Sequence, residues 1–133
     1  MTRHECREIA LKIVFSQLGS QDSFNYAESA KVIDEVVGVS DDDNTFIQTI
    51  VEAAISNTDE IVKTVESNLK GYDIKRLYKV DKAILFLAIA EMNILKLTPQ
   101  KIVINEAVEL AKTFSTDDSP KFINGVLASI VKA

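Results

Sequence analysis

A chain of 133 residues with 47% hydrophobic and 26% charged residues can bury one core without crosslinks and is too balanced to be a disordered segment. The single cysteine, Cys6, excludes an internal disulfide, and the longest apolar run, residues 83–90, is far shorter than the ~20 residues that span a bilayer. The net charge of −5 argues by itself against a nucleic-acid partner.

The charge is unevenly spread, however. Residues 20–66 hold 11 acids and 2 bases, and the remainder holds 9 acids and 13 bases. Such a chain can present one acidic and one mildly basic surface, although solvated helix faces account for the same pattern. Met1-Thr2-Arg3-His4-Glu5 leads directly into an amphipathic helix with no signal-peptide core, so a soluble, cytoplasmic protein is expected.

Four glycines and two prolines leave few breaks and favour long helices. Cys6, Ile9, Ala10, Ile13, Val14 and Leu18 recur at helical spacing, and Gly19 ends this first helix. A second helix is predicted over 23–37 with Tyr26, Ala30, Ile33 and Val37 inward, followed by Gly38 and an acidic loop, Ser40-Asp41-Asp42-Asp43. A third periodic segment runs over 43–69 through Phe46, Ile50, Ala54, Ile61, Val65 and Leu69, bent at Ser56-Asn57-Thr58 and closed by Gly71.

A linker or single turn over 72–78 precedes a helix over 79–96. Its centre, AILFLAIA, is apolar on every side, as befits a helix buried among others. Thr98-Pro99 opens the next helix with a cap and a first-position proline, ending near Phe114. Ser119-Pro120 repeats that opening for a last helix to about Val131. The fold class is therefore all-α: one domain over 1–133, a compact bundle of six or seven helices. Two three-helix subbundles sharing the 79–96 helix are one arrangement that fits.

Catalytic and metal chemistry find little support. A zinc site takes about four ligands, and the chain offers one histidine and one cysteine, His4-x-Cys6 at the N-terminus. No Gly-rich phosphate loop, dinucleotide fingerprint or nucleophile elbow occurs. Asp41-Asp42-Asp43 is half a calcium loop without its Gly and bidentate Glu, and reads better as a solvated loop favouring a helix N-terminus. No enzyme, cofactor or metal is expected.

Binding is the better reading. Arg3, Arg7, Leu11 and Phe15 lie on one i, i+4 row of the first helix, drifting about 40° per step, so two guanidiniums align with one ring. That arrangement suits RNA, by phosphate neutralisation and base stacking. It equally suits a core phenylalanine capped by exposed arginines. The segment KGYDIKRLYKVDK, residues 70–82, has five bases, two acids and interleaved Tyr72 and Tyr78; it is either a docking patch or the polar collar of a buried helix. Glu91 sits on the apolar row of Ile84, Leu87, Ile94 and Leu95, where a cation or helix N-terminus should satisfy it. Lys121 and Phe122 fall in the first turn of the last helix, where free N–H groups attract phosphate; packing of Phe122 across the previous helix is the alternative. Gly125, inside a helical run, suggests close approach of a helix or a ligand to bare backbone.

Four blocks follow in order: RHECREIALKIVFSQL, RLYKVDKAILFLAIAEM, P-x-x-x-V-I-N-E-A-V-E-L-A-K-x-F and S-P-K-F-I-N-G-V-L. Across the whole chain they resemble the NusB family of bacterial transcription antitermination factors. The resemblance implies an all-helical protein that binds boxA-type single-stranded RNA in nascent transcripts. It would do so with the small-subunit ribosomal protein that acts as Nus factor E. The assembly would join the RNA polymerase antitermination complex and support ribosomal RNA transcription. Carried over, the resemblance assigns RNA contact to Arg3, His4, Arg7, Phe15, Asp118, Lys121 and Phe122. It assigns the protein partner to Arg76, Lys79, Asp81 and Lys82.

This chain departs from the pattern in three ways. Its N-terminal arm is thin in arginine and diluted by Glu5 and Glu8, Phe86 stands where the family commonly has Arg, and Tyr72 where many members have Trp. A thin arm implies weaker intrinsic RNA affinity and more reliance on the partner. The alternative is a helical protein-interaction module with weak or no RNA binding, related to the module that begins some RNA cytosine methyltransferases. Those chains continue into a cofactor-binding domain, whereas this one stops at Ala133.

Overall fold

The computed structural model describes residues 1–20, 23–71 and 73–132, with backbone alone for 32–37. The expectations for Tyr72 and for the inward placement of Ile33 and Val37 lie outside what is described. Seven α-helices and no strand occur among the described residues: α1 (Arg3–Gln17), α2 (Tyr26–Val37), α3 (Asp41–Ser56), α4 (Thr58–Glu66), α5 (Lys79–Ile89), α6 (Gln100–Phe114) and α7 (Ser119–Lys132). A 3₁₀ turn, Ile74–Arg76, precedes α5, and a π-helical turn, Ala90–Ile94, extends it. None of these helices is long and apolar enough to cross a membrane.

Local chemistry explains most helix ends. The Thr2 hydroxyl accepts from the Glu5 N–H at 3.1 Å, and the Glu5 carboxylate accepts from the Thr2 N–H at 2.9 Å. This capping box satisfies two orphan donors and starts α1 at Arg3, ahead of the first apolar position. The hydrogen bonds from Thr2 also hold the Glu5 carboxyl below its ordinary range. Ser40 caps α3, and Asp41, Asp42 and Asp43 fill its first turn, where carboxylates complement the helix dipole. The acidic segment is thus a helix start.

Three sequence expectations shift. The segment over 43–69 is two helices rather than one bent helix, because Asn57 leaves helical geometry (φ −116°, ψ 28°). The second helix begins at Tyr26, later than expected. Pro99, not Thr98, stands at the N-cap of α6, and no side chain caps that end. At the end of the π-helical turn Lys96 adopts φ +51°, the left-handed conformation that stops the helix without a glycine.

The centre of the molecule is α5, with every residue from Ala83 to Ala90 buried. It touches α1 and α3 on one side and α4, α6 and α7 on the other, while α1 pairs with α3 and α6 with α7. Phe86, where the resemblance leads one to expect arginine, is 1% exposed and fills this core. Burying a side chain of its size contributes roughly 1.5–3 kcal/mol.

One charged pair crosses the core. Arg7 donates from Nε and Nη2 to the two carboxylate oxygens of Glu91 at 2.9 and 2.6 Å. Burial works against the charge on Arg7, but the hydrogen bonds and charge of Glu91 outweigh it and hold the guanidinium above its ordinary value. Arg7 is therefore the cation that Glu91 requires, supplied from α1 to the π-helical turn.

Candidate nucleic-acid interface

The N-terminal half of α1 carries three of the expected RNA contacts, and each faces a carboxylate. Arg3 is exposed, with ion pairs to Asp42 at 3.6 Å and Asp43 at 3.3 Å. Its guanidinium also lies 4.4 Å from the Phe46 ring centroid. His4 Nδ1 meets Glu106 of α6. Arg7 is not the exposed base that the sequence suggested: at 6% exposure, with Glu91 accepting from its Nε and Nη2, most of the guanidinium is committed to the core. His4 and Cys6 also part company, since Cys6 is wholly buried and burial pushes its thiol up.

The C-terminal end of α1 is built differently. Phe15 is 37% exposed, and Lys79 Nζ of α5 sits 4.6 Å from its ring centroid. Lys12, one turn earlier, stands 5.6 Å from the ring centroid of Phe114 at the end of α6. At ~1.5 Å per residue, Arg3 and Phe15 are separated by ~18 Å along the helix. The seven expected RNA residues therefore do not form one cluster. Instead Phe15, expected for RNA, touches Lys79, expected for the protein partner.

Asp81 explains why α5 and α7 begin side by side. It is 4% exposed and accepts from the Ser115 hydroxyl at 2.5 Å and the Ser119 hydroxyl at 2.9 Å. Ser119 is itself buried and also bonds Thr116. Asp81 is an internal anchor, with little surface left for a docking partner. By pinning the loop between α6 and α7 onto α5, it sets Arg76 and Tyr78 across a groove from Thr116, Asp118 and Phe122.

Asp118 and Lys121 are exposed and Phe122 is half-buried, so the ring is shared between fold and surface. Phe122 also borders a second groove, lined by Leu69 and Lys70 in the turn after α4, by the Asp118 carboxylate, and by Lys121, Gly125 and Ser129 of α7. Arg76 and Lys79 are exposed, and Lys82 is partly so. Among the described residues no carboxylate lies within ion-pair distance of Lys12, Arg76, Lys79, Lys82 or Lys121. This end of the molecule thus sets unpaired cations among partly exposed rings, the combination that receives phosphates and bases.

Sequence reasoning missed Lys12 and the Asp81–Ser119 anchor. Lys12 was detectable as the base three positions before Phe15 on one helix face. The anchor carried no such signal, because its partners are 38 residues apart.

The chain has close counterparts. The NusB family model matches residues 4–132. The chain is 36% identical over 138 aligned positions to the transcription antitermination protein NusB of Clostridium novyi, covering 100% of both proteins. Its structure resembles that of NusB from T. maritima with a TM-score of 0.88 and 26% identity, over 99% of this chain and 92% of that one. It also resembles a chain in the crystal structure of the antitermination factors NusB and NusE in complex with double-stranded RNA. There the TM-score is 0.84 and the identity 27%, over 99% of this chain and 98% of that one.

Proposed function

The chain belongs to the NusB family of transcription antitermination proteins, and from that premise we propose that it binds boxA-type single-stranded RNA in nascent transcripts. It does so jointly with the small-subunit ribosomal protein that acts as Nus factor E. The complex works in the cytoplasm within the RNA polymerase antitermination assembly and supports ribosomal RNA transcription. The chain acts by binding, as one RNA-binding domain without cofactor, and not as an enzyme.

The observation that carries this reading is the group of cations without carboxylate partners set among rings where the end of α1 and the start of α7 each pack on α5. Phe122 stacks on a base, Lys121 meets a phosphate, and Asp118 at the groove rim accepts a hydrogen bond from a base edge. Phe15 extends the stacking surface, with Lys12 beside it. Arg3 and His4 form a weaker secondary contact, since their carboxylate partners must first be displaced. Arg76, Lys79 and Lys82 receive the ribosomal protein, and the Lys79–Phe15 contact joins its surface to the RNA surface. A homologous protein solved with NusE and double-stranded RNA supports NusE and RNA as partners, and the preference for a single strand rests on the exposed rings.

The test is titration of labelled boxA-like RNA as a single strand and as a duplex, with and without the ribosomal protein, across a salt series. The single strand should bind more tightly, with a shallow log–log salt slope of about −0.7 per neutralised phosphate. The ribosomal protein should tighten RNA binding, and RNA should tighten the protein pair by the same factor. Equal affinity for duplex and single strand would overturn the stacking mechanism. Normal partner binding with no RNA binding would instead favour the protein-interaction module, which the burial of Arg7 makes the second reading.

A further inference from the structure

Gly125 lies inside α7 (Ser119–Lys132), where glycine is a poorer helix former than any residue but proline. The fold does not ask for it. Its φ is not in the left-handed region, so any residue could adopt its conformation. A Cβ built there meets no atom within 4 Å, which corrects the idea that a neighbouring helix approaches closely. A helix-weakening residue thus occupies a position where alanine would fit with space to spare.

What Gly125 does border is the second groove. It stands three residues after Phe122 and four after Lys121, so all three share one face of α7. The opposite wall is the turn after α4, with Leu69 and Lys70. Lys70 is exposed, and among the described residues no carboxylate pairs with it. Ser129 closes the groove one turn further on, its hydroxyl donating to Asn68 at 2.8 Å and keeping its lone pairs. Bare backbone at Gly125 thus lines part of the groove, the ammonium groups of Lys70 and Lys121 have no ion-pair partner among the described residues, and Phe122 and the Asp118 carboxylate border it.

We propose that this groove is a second nucleotide subsite, which takes the ribose and phosphate of the nucleotide next to the base stacked on Phe122. The proposal rests on the RNA-binding reading above and adds a residue and a direction to it. The ribose packs flat on the α7 backbone at Gly125, which only the absence of a side chain permits. Its phosphate lies between Lys70 and Lys121. The strand thus runs from the α5–α7 groove, past Phe122, towards Lys70 in the turn after α4.

The experiment is an affinity series on the full chain with the ribosomal protein, using labelled single-stranded boxA-like RNAs of increasing length. Four variants are compared: Gly125→Ala, Gly125→Leu, Lys70→Gln and Phe122→Ala. Gly125→Ala should melt at a higher temperature than the parent, because the new methyl group meets nothing and favours the helix, yet bind the longer RNAs several-fold more weakly. Gly125→Leu should lose about fivefold or more on the longer RNAs and nothing on RNAs too short to pass Phe122. Lys70→Gln should flatten the salt slope by about 0.7, one phosphate's worth. Parental affinity of Gly125→Leu for every length, alongside weakened Phe122→Ala, would overturn the subsite and leave the RNA reading intact. Failure of the parent chain to bind any of the RNAs would overturn both.

Discussion

The two ends of α1 handle positive charge in opposite ways. At the N-terminal end Arg3, His4 and Arg7 face Asp42 and Asp43, Glu106 and Glu91. At the C-terminal end Lys12 and Lys79 lie over Phe114 and Phe15 with no carboxylate among the described residues. A cation held by a carboxylate belongs to the fold, since meeting a phosphate means giving up its partner. A cation resting on a ring loses little when a phosphate arrives, and the ring it exposes can then stack. Charge counted along the helix singles out its N-terminal end. Charge counted after pairing singles out the other end, about 18 Å away beside the start of α5.

The largest effect should come from the pair that defines the first end. Arg7→Ala leaves Glu91 buried without its cation and should destabilise the fold by about 3–5 kcal/mol in denaturant melts. The double variant Arg7→Met, Glu91→Leu should recover much of that loss, because two apolar residues need no partner. An Arg7→Ala protein of unchanged stability with a flattened RNA salt slope would return Arg7 to the surface.

At the other end Phe122→Ala should cost about 1–3 kcal/mol of RNA binding. Its loss of fold stability should stay well below the 3–5 kcal/mol typical of a fully buried phenylalanine. Melts and RNA titrations on the same variant measure both numbers. A badly destabilised protein whose folded fraction still binds RNA normally would make Phe122 a core residue.

Charge reversal at Lys79 and Lys82 should weaken the ribosomal partner by roughly 0.5–1 kcal/mol per exposed charge, with helicity unchanged. If the pair titrates as before, docking lies elsewhere. The smallest effect should sharpen the comparison most. Asp42→Asn with Asp43→Asn releases Arg3 and should tighten RNA binding by about 0.2–1 kcal/mol. It should also steepen the salt slope by about 0.7. No change in either would mean that Arg3 never reaches RNA.

Much of the fold was legible because it rests on local rules. Periodicity located the helical segments, the glycines and prolines marked several of their ends, and AILFLAIA announced the buried centre that α5 proved to be. The errors at Thr98, at Ser23 and in the bent third segment are errors of helix ends, where one residue's backbone geometry decides and many residue types are tolerated. The candidate site was legible in parts: Lys121 and Phe122 from their helix start, and Lys79 from its basic, tyrosine-bearing segment. Their convergence was not.

The row of Arg3, Arg7, Leu11 and Phe15 marks the boundary. Sequence alone determined that the four residues share a helix face and that Glu91, on an apolar row, needs a cation. It could not say which end of the row turns inward. Either reading of the sequence left Arg7 exposed, yet Arg7 is buried, while Phe15 is 37% exposed. That choice was made by Glu91, 84 residues away, and by Asp81, which draws α7 against α5 and opens the groove at Phe122. Helical spacing is a local property of the backbone. Whether a charge is paired depends on what the chain brings back to it, and only the tertiary structure decides that.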